Sequence, residues 1–423
     1  MENTSENRTR FAIDGREPQQ VVFPESIEQV AETLRSASAQ KTAVTPIGAG
    51  GFLHIGSLPR RYDLALSLQR MNRVVDYQPT DMTVTVEAGM SLARLQAILG
   101  EHGQWLPLDP PFPERATVGG IIAANLSGPS RLSQGTVRDF LLGLRVVTAD
   151  GTVVKGGGRV VKNVAGYDVP KLYCGSFGTL GVIVEATFKV RPYPERQALC
   201  ACMFPSAESA MDKVLHLLGT ELQPFFMELT NFDPLAREKG KTPTAHLFIA
   251  FAGIDEEVGY QVTRLRELSG ESSEARQDLA EGKDQAVANA LRDFPLAGDA
   301  MLRYKASVLP THVASFYKKA EEEAELRGLS LLLLSHAGSG IIYGHVPHEG
   351  SITSEKLLSF VDWLRILAKQ LGGSLIIEHI DPALKDRVDV WGHVGNSFPL
   401  MKRLKETLDP QGILNPGRFV GGI

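Results

Sequence analysis

Cysteine is scarce: Cys174, Cys200 and Cys202 are the only three among 423 residues. At these spacings they build neither a disulfide framework, nor a zinc knuckle, nor the ligand set of an iron–sulfur cluster, and they point to a reducing compartment. Their expected state is that of small buried hydrophobes. An excess of one charge is lacking too. Lys plus Arg (44) nearly balance Asp plus Glu (49), and the net charge of −5 leaves no electrostatic footprint for nucleic acid. Apolar runs such as Leu331 to Leu334 fall far short of the roughly 20 residues that cross a bilayer, so membrane contact is expected only at the periphery or through a partner. Residues 1–10 are polar, with neither the basic start nor the apolar core of a signal peptide, and are expected to be disordered. A cytoplasmic globular protein of two or three domains is the expectation.

Glycine, by contrast, is concentrated where it can matter. Lys162 to Ile183 carries four glycines and runs into an alternating strand, Val182 to Val190. Two further glycine segments lie upstream, Pro46 to Gly51 and Thr117 to Asn125. A residue without Cβ reaches positive φ at little cost and lets main-chain amides approach a phosphate or a flat ring. Three such segments in one half of the chain imply a single extended ligand. Gly48 to Gly51 lacks the third glycine and the downstream acidic residue of the dinucleotide fingerprint, which disfavours a nicotinamide Rossmann domain.

Local patterns place these segments. Ser26 followed by Gln29 reads as a capping box ahead of the helical stripe Ile27, Val30, Ala31 and Leu34, and Ser91 caps a second helix carrying Leu92, Leu95, Ile98 and Leu99. Asp63–Leu68 and Thr83–Glu87 alternate as strands, residues 101–116 form a proline-rich connector, and Asp150-Gly151 marks a hairpin. After Pro194 the glycine segments stop. Strands are expected over Phe225–Thr230, His246–Ala252, Met301–Leu309, Leu331–Ser335, Ile341–Val346 and Ser374–Glu378, with helices at about 256–268, 311–327 and 354–371. The polar stretch 269–285 reads as a surface loop or an exposed helix start. This pattern predicts an α+β chain whose second part is a mainly antiparallel sheet with helices on one face.

Over essentially its whole length the chain resembles the PCMH-type (vanillyl-alcohol oxidase) FAD-binding superfamily. The likeness is carried by Phe23 to Val30, Pro46 to Gly51, Thr117 to Gly120, Gly175 to Ile183 and Ile413 to Gly417. Within it the chain is most similar to the GlcE-type FAD-binding subunit of bacterial glycolate oxidase, through Ser127-Gly-Pro129, Gly135 to Phe140 and Val161 to Asp168. The resemblance implies an FAD-binding domain over 11–195, a cap domain for substrate over 196–399, and a C-terminal segment, 400–423, returning to the first domain. It also implies non-covalent FAD. Ile47, Gly48, Ala49, Gly50, Gly51 and Phe52 would wrap the pyrophosphate. Thr117, Gly119, Gly120 and Asn125 would line the flavin, with Asp168, Gly181, Ile183 and Asn415 completing the site. His54 and Cys174 are expected to be an ordinary loop histidine and a packed thiol, not attachment points.

On the substrate side the resemblance implies a metal held by two histidines seven apart and the Glu of a Glu-His pair, the second His being the general base that takes the hydroxyl proton while hydride passes to flavin N5. Here the positions read His336, Tyr343 and Glu378-His379. Tyrosine is a poor neutral ligand, so the metal site is degenerate and no metal is expected, with compensation by His345 left open. His379 is the candidate base, and Arg303 and Lys305 are candidates for the substrate carboxylate. The implied activity is oxidation of glycolate or a related D-2-hydroxy acid, with a homologous flavoprotein subunit and an iron–sulfur subunit as partners. An accessory electron-transfer or assembly subunit without turnover is the alternative, and a self-sufficient flavin oxidase a third reading.

Overall fold

The computed structural model describes residues 4–158, 168–236, 241–269, 277–278, 283–348 and 352–423. Backbone contacts divide the chain into two compact units: residues 1–127, 136–193 and 393–423 form the first, and 128–135 with 194–392 the second. The division falls at 193/194 and 392/393. The short excursion 128–135, which joins the second unit, carries no signal in the sequence. The N-terminus expected to be disordered contains a helix, Ser5–Arg10, whose N-cap Thr4 accepts from the Asn7 amide.

In the first unit Val44–Ile47, Leu64–Ser67 and Gln20–Val22 form a parallel three-stranded sheet, and a five-stranded antiparallel sheet contains Thr83–Glu87, Val182–Lys189 and Leu141–Val147 at its centre. Ser26 and Ser91 cap their helices as the sequence predicts, although Gln29 reaches back to the residue before Ser26 and not to Ser26 itself. Ser26 Oγ accepts from the Gln29 amide at 3.3 Å, Gln29 Oε1 accepts from the Glu25 amide at 2.8 Å, and Ser91 Oγ accepts from the Arg94 amide. The hairpin turn puts Gly151 at φ +80, while the Asp150 carboxylate accepts the Thr148 and Thr152 hydroxyls, which hold it below the ordinary carboxylate range. Arg191–Pro192 pairs with Gln104–Trp105, the one short strand inside the proline-rich connector.

The second unit is an eight-stranded antiparallel sheet. In spatial order it runs Gln277–Asp278, Arg196–Phe204, Lys241–Gly253, Phe226–Phe232, Leu332–His336, Ile341–Pro347, Ala300–Ser307 and Ser374–Ile380. Helices Ala207–Leu218, Asp255–Ser269, Val313–Leu326 and Ser354–Gln370 bury Leu302, Tyr304, Phe316, Tyr317 and Phe360 against one face. Contrary to the one-sided expectation, a helix also covers part of the other face. There Val287, Leu291 and Phe294 pack on Phe226, Phe248, Leu332 and Leu334, all apolar on that side of their strands, so the sheet needs a second apolar cover. No helix among the described residues is long and apolar enough to cross a membrane.

At Gly344 the chain passes directly beneath the Tyr304 ring, which a Cβ there would overlap. Gly344→Ala is therefore expected to lose about 1–3 kcal/mol through overpacking, read as a lower urea midpoint at unchanged m-value.

Candidate functional site

The first unit holds a cleft of about 880 Å³, counting space open to solvent, built where the parallel strand Val44–Ile47 runs out into a glycine turn. The amides of Gly48, Ala49, Gly50, Gly51 and Phe52 donate to no acceptor among the described residues. Gly50 sits at φ +83, and a Cβ at Gly48 would collide with the Thr117 hydroxyl. Thr117 caps the helix Val118–Ala124, its Oγ1 accepting from the Gly120 amide at 3.3 Å. Gly119 is needed for a different reason: its Cβ would meet that of Ala88 at 2.9 Å, so its absence lets this helix lie flat on the wall. Gly181, Ile183, Phe177, Gly178, Asn415 and Arg418 close the lining. Among the buried polar atoms of lining residues, Thr45 Oγ1 and Asn415 Oδ1 have no partner among the described residues.

The second unit carries a partly buried polar row on the sheet face away from the four helices. Antiparallel pairing sets Lys305 opposite Tyr343, and Arg303 opposite both His345 and His379. A bulge between Arg303 and Tyr304 leaves Glu378 as the extra residue of its strand. Lys305 Nζ lies 5.8 Å from the Tyr343 ring centroid. The His336 ring stands edge-on to that of Tyr343, and His336 Nδ1 lies 2.8 Å from both carboxylate oxygens of Glu228. Burial drives His336 well below its ordinary range, helped by the charges of Arg131 and Lys305, so a neutral ring donating Nδ1–H to Glu228 fits this geometry. Its Nε2 is buried with no partner among the described residues. Burial also lowers Lys305, with Glu378 opposing, and raises Glu378, with Lys305 and Arg303 opposing.

Two family models match the chain, an FAD binding domain over residues 18–157 and the C-terminal domain of FAD linked oxidases over 193–419. The chain belongs to the FAD-linked oxidases. It is 30% identical to the probable mitochondrial D-lactate dehydrogenase of Danio rerio, over 96% of this chain and 85% of that one. With glycolate oxidase subunit GlcE of Escherichia coli K12 it shares 37% identity over 47% of this chain and 55% of that subunit. The fold matches 4-ethylphenol oxidase from Gulosibacter chungangensis with a TM-score of 0.74, covering 98% and 92% of the two chains at 17% identity.

FAD is the cofactor of this oxidase, and the cleft fits it. Five free amides in a row suit a diphosphate, the glycines leave the space that its approach requires, and the orphan oxygens of Asn415 and Thr45 can take hydrogen bonds from a ligand. Of the residues named from the sequence, Ile47 to Phe52, Thr117, Gly119, Gly120, Gly181, Ile183 and Asn415 line the cleft, whereas Asn125 and Asp168 do not. Asn125 ends its helix in the left-handed conformation at φ 49, and Asp168 precedes helix Val169–Tyr173 with its carboxylate on Lys171 Nζ at 2.6 Å. The segment 161–167, part of the likeness to glycolate oxidase, lies outside the described residues, as does most of 269–285.

Neither His54 nor Cys174 lines the cleft. Of the carboxylate candidates, Arg303 donates Nη1 to Leu296 O at 3.0 Å and to Gly298 O at 3.3 Å, while its Nε is buried without an acceptor among the described residues. The His345 ring stacks on Phe294 with centroids 4.0 Å apart, and its Nε2 lies 3.4 Å from Pro295 O. Sequence reasoning missed Glu228, Arg418, Thr45 and Phe177. Glu228 had a legible signal, a lone carboxylate inside the apolar strand Phe226–Phe232.

Two outcomes follow. Gly48→Ala should weaken FAD binding at least tenfold, about 1.4 kcal/mol, in titrations of the apoprotein followed by flavin fluorescence. Burial pushes the Cys174 thiol up to about 11, so its alkylation by iodoacetamide at pH 8 should run on the order of 100-fold slower than that of an unperturbed thiol, measured by peptide mass spectrometry.

Proposed function

We propose that this oxidase is a dehydrogenase subunit for glycolate or a related D-2-hydroxy acid, which it converts to the 2-oxo acid. The carrying observation is Lys305, a half-buried cation on the polar row with no ion-pair partner among the described residues. A small carboxylate supplies the missing counter-charge, and the half-buried Arg303 adds a second cation on the same sheet face. FAD, when bound, supplies the two-electron acceptor for the hydride that leaves the α-carbon. The protein's own task is to hold the carboxylate and to take the hydroxyl proton. His379, opposite Arg303 in the register, is the candidate base, and neutral His336, oriented by Glu228, is a second imidazole on the same face.

No metal enters this reading. Tyr343 stands where the resemblance calls for a ligating histidine, Glu228 engages His336, and no group of three or more His, Cys, Asp or Glu among the described residues is arranged to hold an ion. Three cysteines give this chain no cluster ligands of its own, so electrons are proposed to leave through an iron–sulfur subunit beside a homologous flavoprotein subunit. The chain is taken to be cytoplasmic, meeting the membrane only through that assembly. Tyr343 and the partial match to GlcE also favour a second reading, an accessory flavin subunit without turnover.

Anaerobic addition of glycolate and D-lactate to the isolated chain separates the two, because substrate turnover bleaches the flavin near 450 nm, roughly where isolated FAD absorbs, and an unbleached yellow protein supports the accessory role. If it turns over, Lys305→Met is expected to lower kcat/KM about 10- to 100-fold, chiefly through KM. Activity should survive prolonged EDTA treatment, and a loss restored by added zinc would refute the metal-free assignment.

A further inference from the structure

The last helix, Phe398–Leu408, carries a lysine that the flavin site does not explain. Lys405 is 8% exposed, and its ammonium donates to three oxygens: Asp409 Oδ2 at 2.6 Å, Leu414 O at 2.7 Å and Thr179 O at 2.9 Å. Its donor capacity is filled. Asp409, 2% exposed, turns its other bonds onto the backbone, accepting from the Ile413 amide at 3.0 Å and the Leu414 amide at 2.8 Å. One buried ion pair thus fixes the turn that ends at Leu414 and fastens it to the loop containing Thr179.

Both tethered segments are walls of the flavin cleft. Directly after Leu414 comes Asn415, at φ 48, whose amide donates to Val44 O at 2.8 Å and whose Nδ2 donates to Phe177 O at 2.7 Å. These bonds aim the unpartnered Oδ1 of Asn415 at the lining, and Phe177, Gly178 and Gly181 flank Thr179 on the same lining. A second cation extends the arrangement to the third wall. Arg418, 2% exposed, donates to Leu53 O at 2.7 Å, Ile55 O at 2.6 Å and Ser57 O at 2.9 Å, which holds the far end of the glycine turn.

We infer that Lys405, paired with Asp409, is a positioning residue for FAD: it locks Asn415 and the Phe177–Gly181 loop into one geometry, so that cofactor affinity depends on a side chain that lines no part of the cleft. Simple core packing would affect stability alone. A positioning role links affinity to the lock, because a loosened Asn415 must be re-ordered each time FAD binds. The inference rests on the cofactor and is independent of the substrate.

The test compares the parent, Lys405→Met and the charge-neutral pair Lys405→Met/Asp409→Asn, the pair avoiding the lone buried carboxylate that could unfold the single variant. FAD affinity is measured on apoprotein by equilibrium ultrafiltration, apoprotein melting by calorimetry, and the bound flavin by visible circular dichroism. The expected result for the double variant is FAD affinity at least tenfold weaker and an altered flavin dichroism, with apoprotein melting near that of the parent. Affinity within threefold of the parent and an unchanged spectrum would overturn the inference. On unmodified protein, hydrogen exchange with and without FAD probes the same coupling without requiring any variant to fold. The amides of Phe177 and Thr179 and those of Leu414 and Asn415 should gain protection together, and protection confined to the first loop would also overturn it.

Discussion

Buried or half-buried amides must find an acceptor, and five consecutive ones in Gly48 to Phe52 have none within the described protein. That unmet demand is the constraint from which the first unit is built. The strand Val44–Ile47 delivers the turn, the Thr117-capped helix backs it, and glycines at Gly48, Gly50 and Gly119 keep side chains out of the space a ligand must enter. An anionic bridge is the acceptor that suits such a row, which is why the cleft and the FAD-linked family agree.

The second unit solves a different electrostatic problem. Its sheet face carries Glu228, His336, Lys305 and Glu378, all removed from most of their water, at a depth where unpaired charge is costly. Glu228 and His336 satisfy one another directly. Lys305 and Glu378 perturb one another's ionisation without forming a contact ion pair among the described residues, and the bulge that creates Glu378's position sits beside Arg303. A structural ion pair would close that distance. A row that stays open in this way suits a small anionic ligand.

The glycine segments, the capped helices and the Asp150-Gly151 hairpin were legible because each depends on a few neighbouring residues. So were the strands that carry Arg303, Lys305 and Glu378, since alternation is a local property; His336 was expected one residue past the end of its strand, which the fold extends to include it. Glu228 left one local trace, a lone carboxylate in an apolar strand, but its role comes from His336, 108 residues away. Asn125 and Asp168 lie beside the glycine segments in sequence, and in the fold they end and begin a helix. The move of 128–135 into the second unit also left no local mark, because Ser133 finds its acceptor, Phe225 O, only in the folded chain.

The sequence by itself determined the α+β class and the glycine segments, because glycine spacing, caps and alternation act over short range, and the FAD-linked family entered through its resemblance to known flavoproteins. Only the tertiary structure decided which side chains meet. Lys405 reaching Thr179, Arg418 gathering the carbonyls of Leu53, Ile55 and Ser57, and Glu228 holding His336 are contacts across more than a hundred residues each. Their partners are mostly backbone oxygens, which carry no sequence identity, so no residue pattern could announce them.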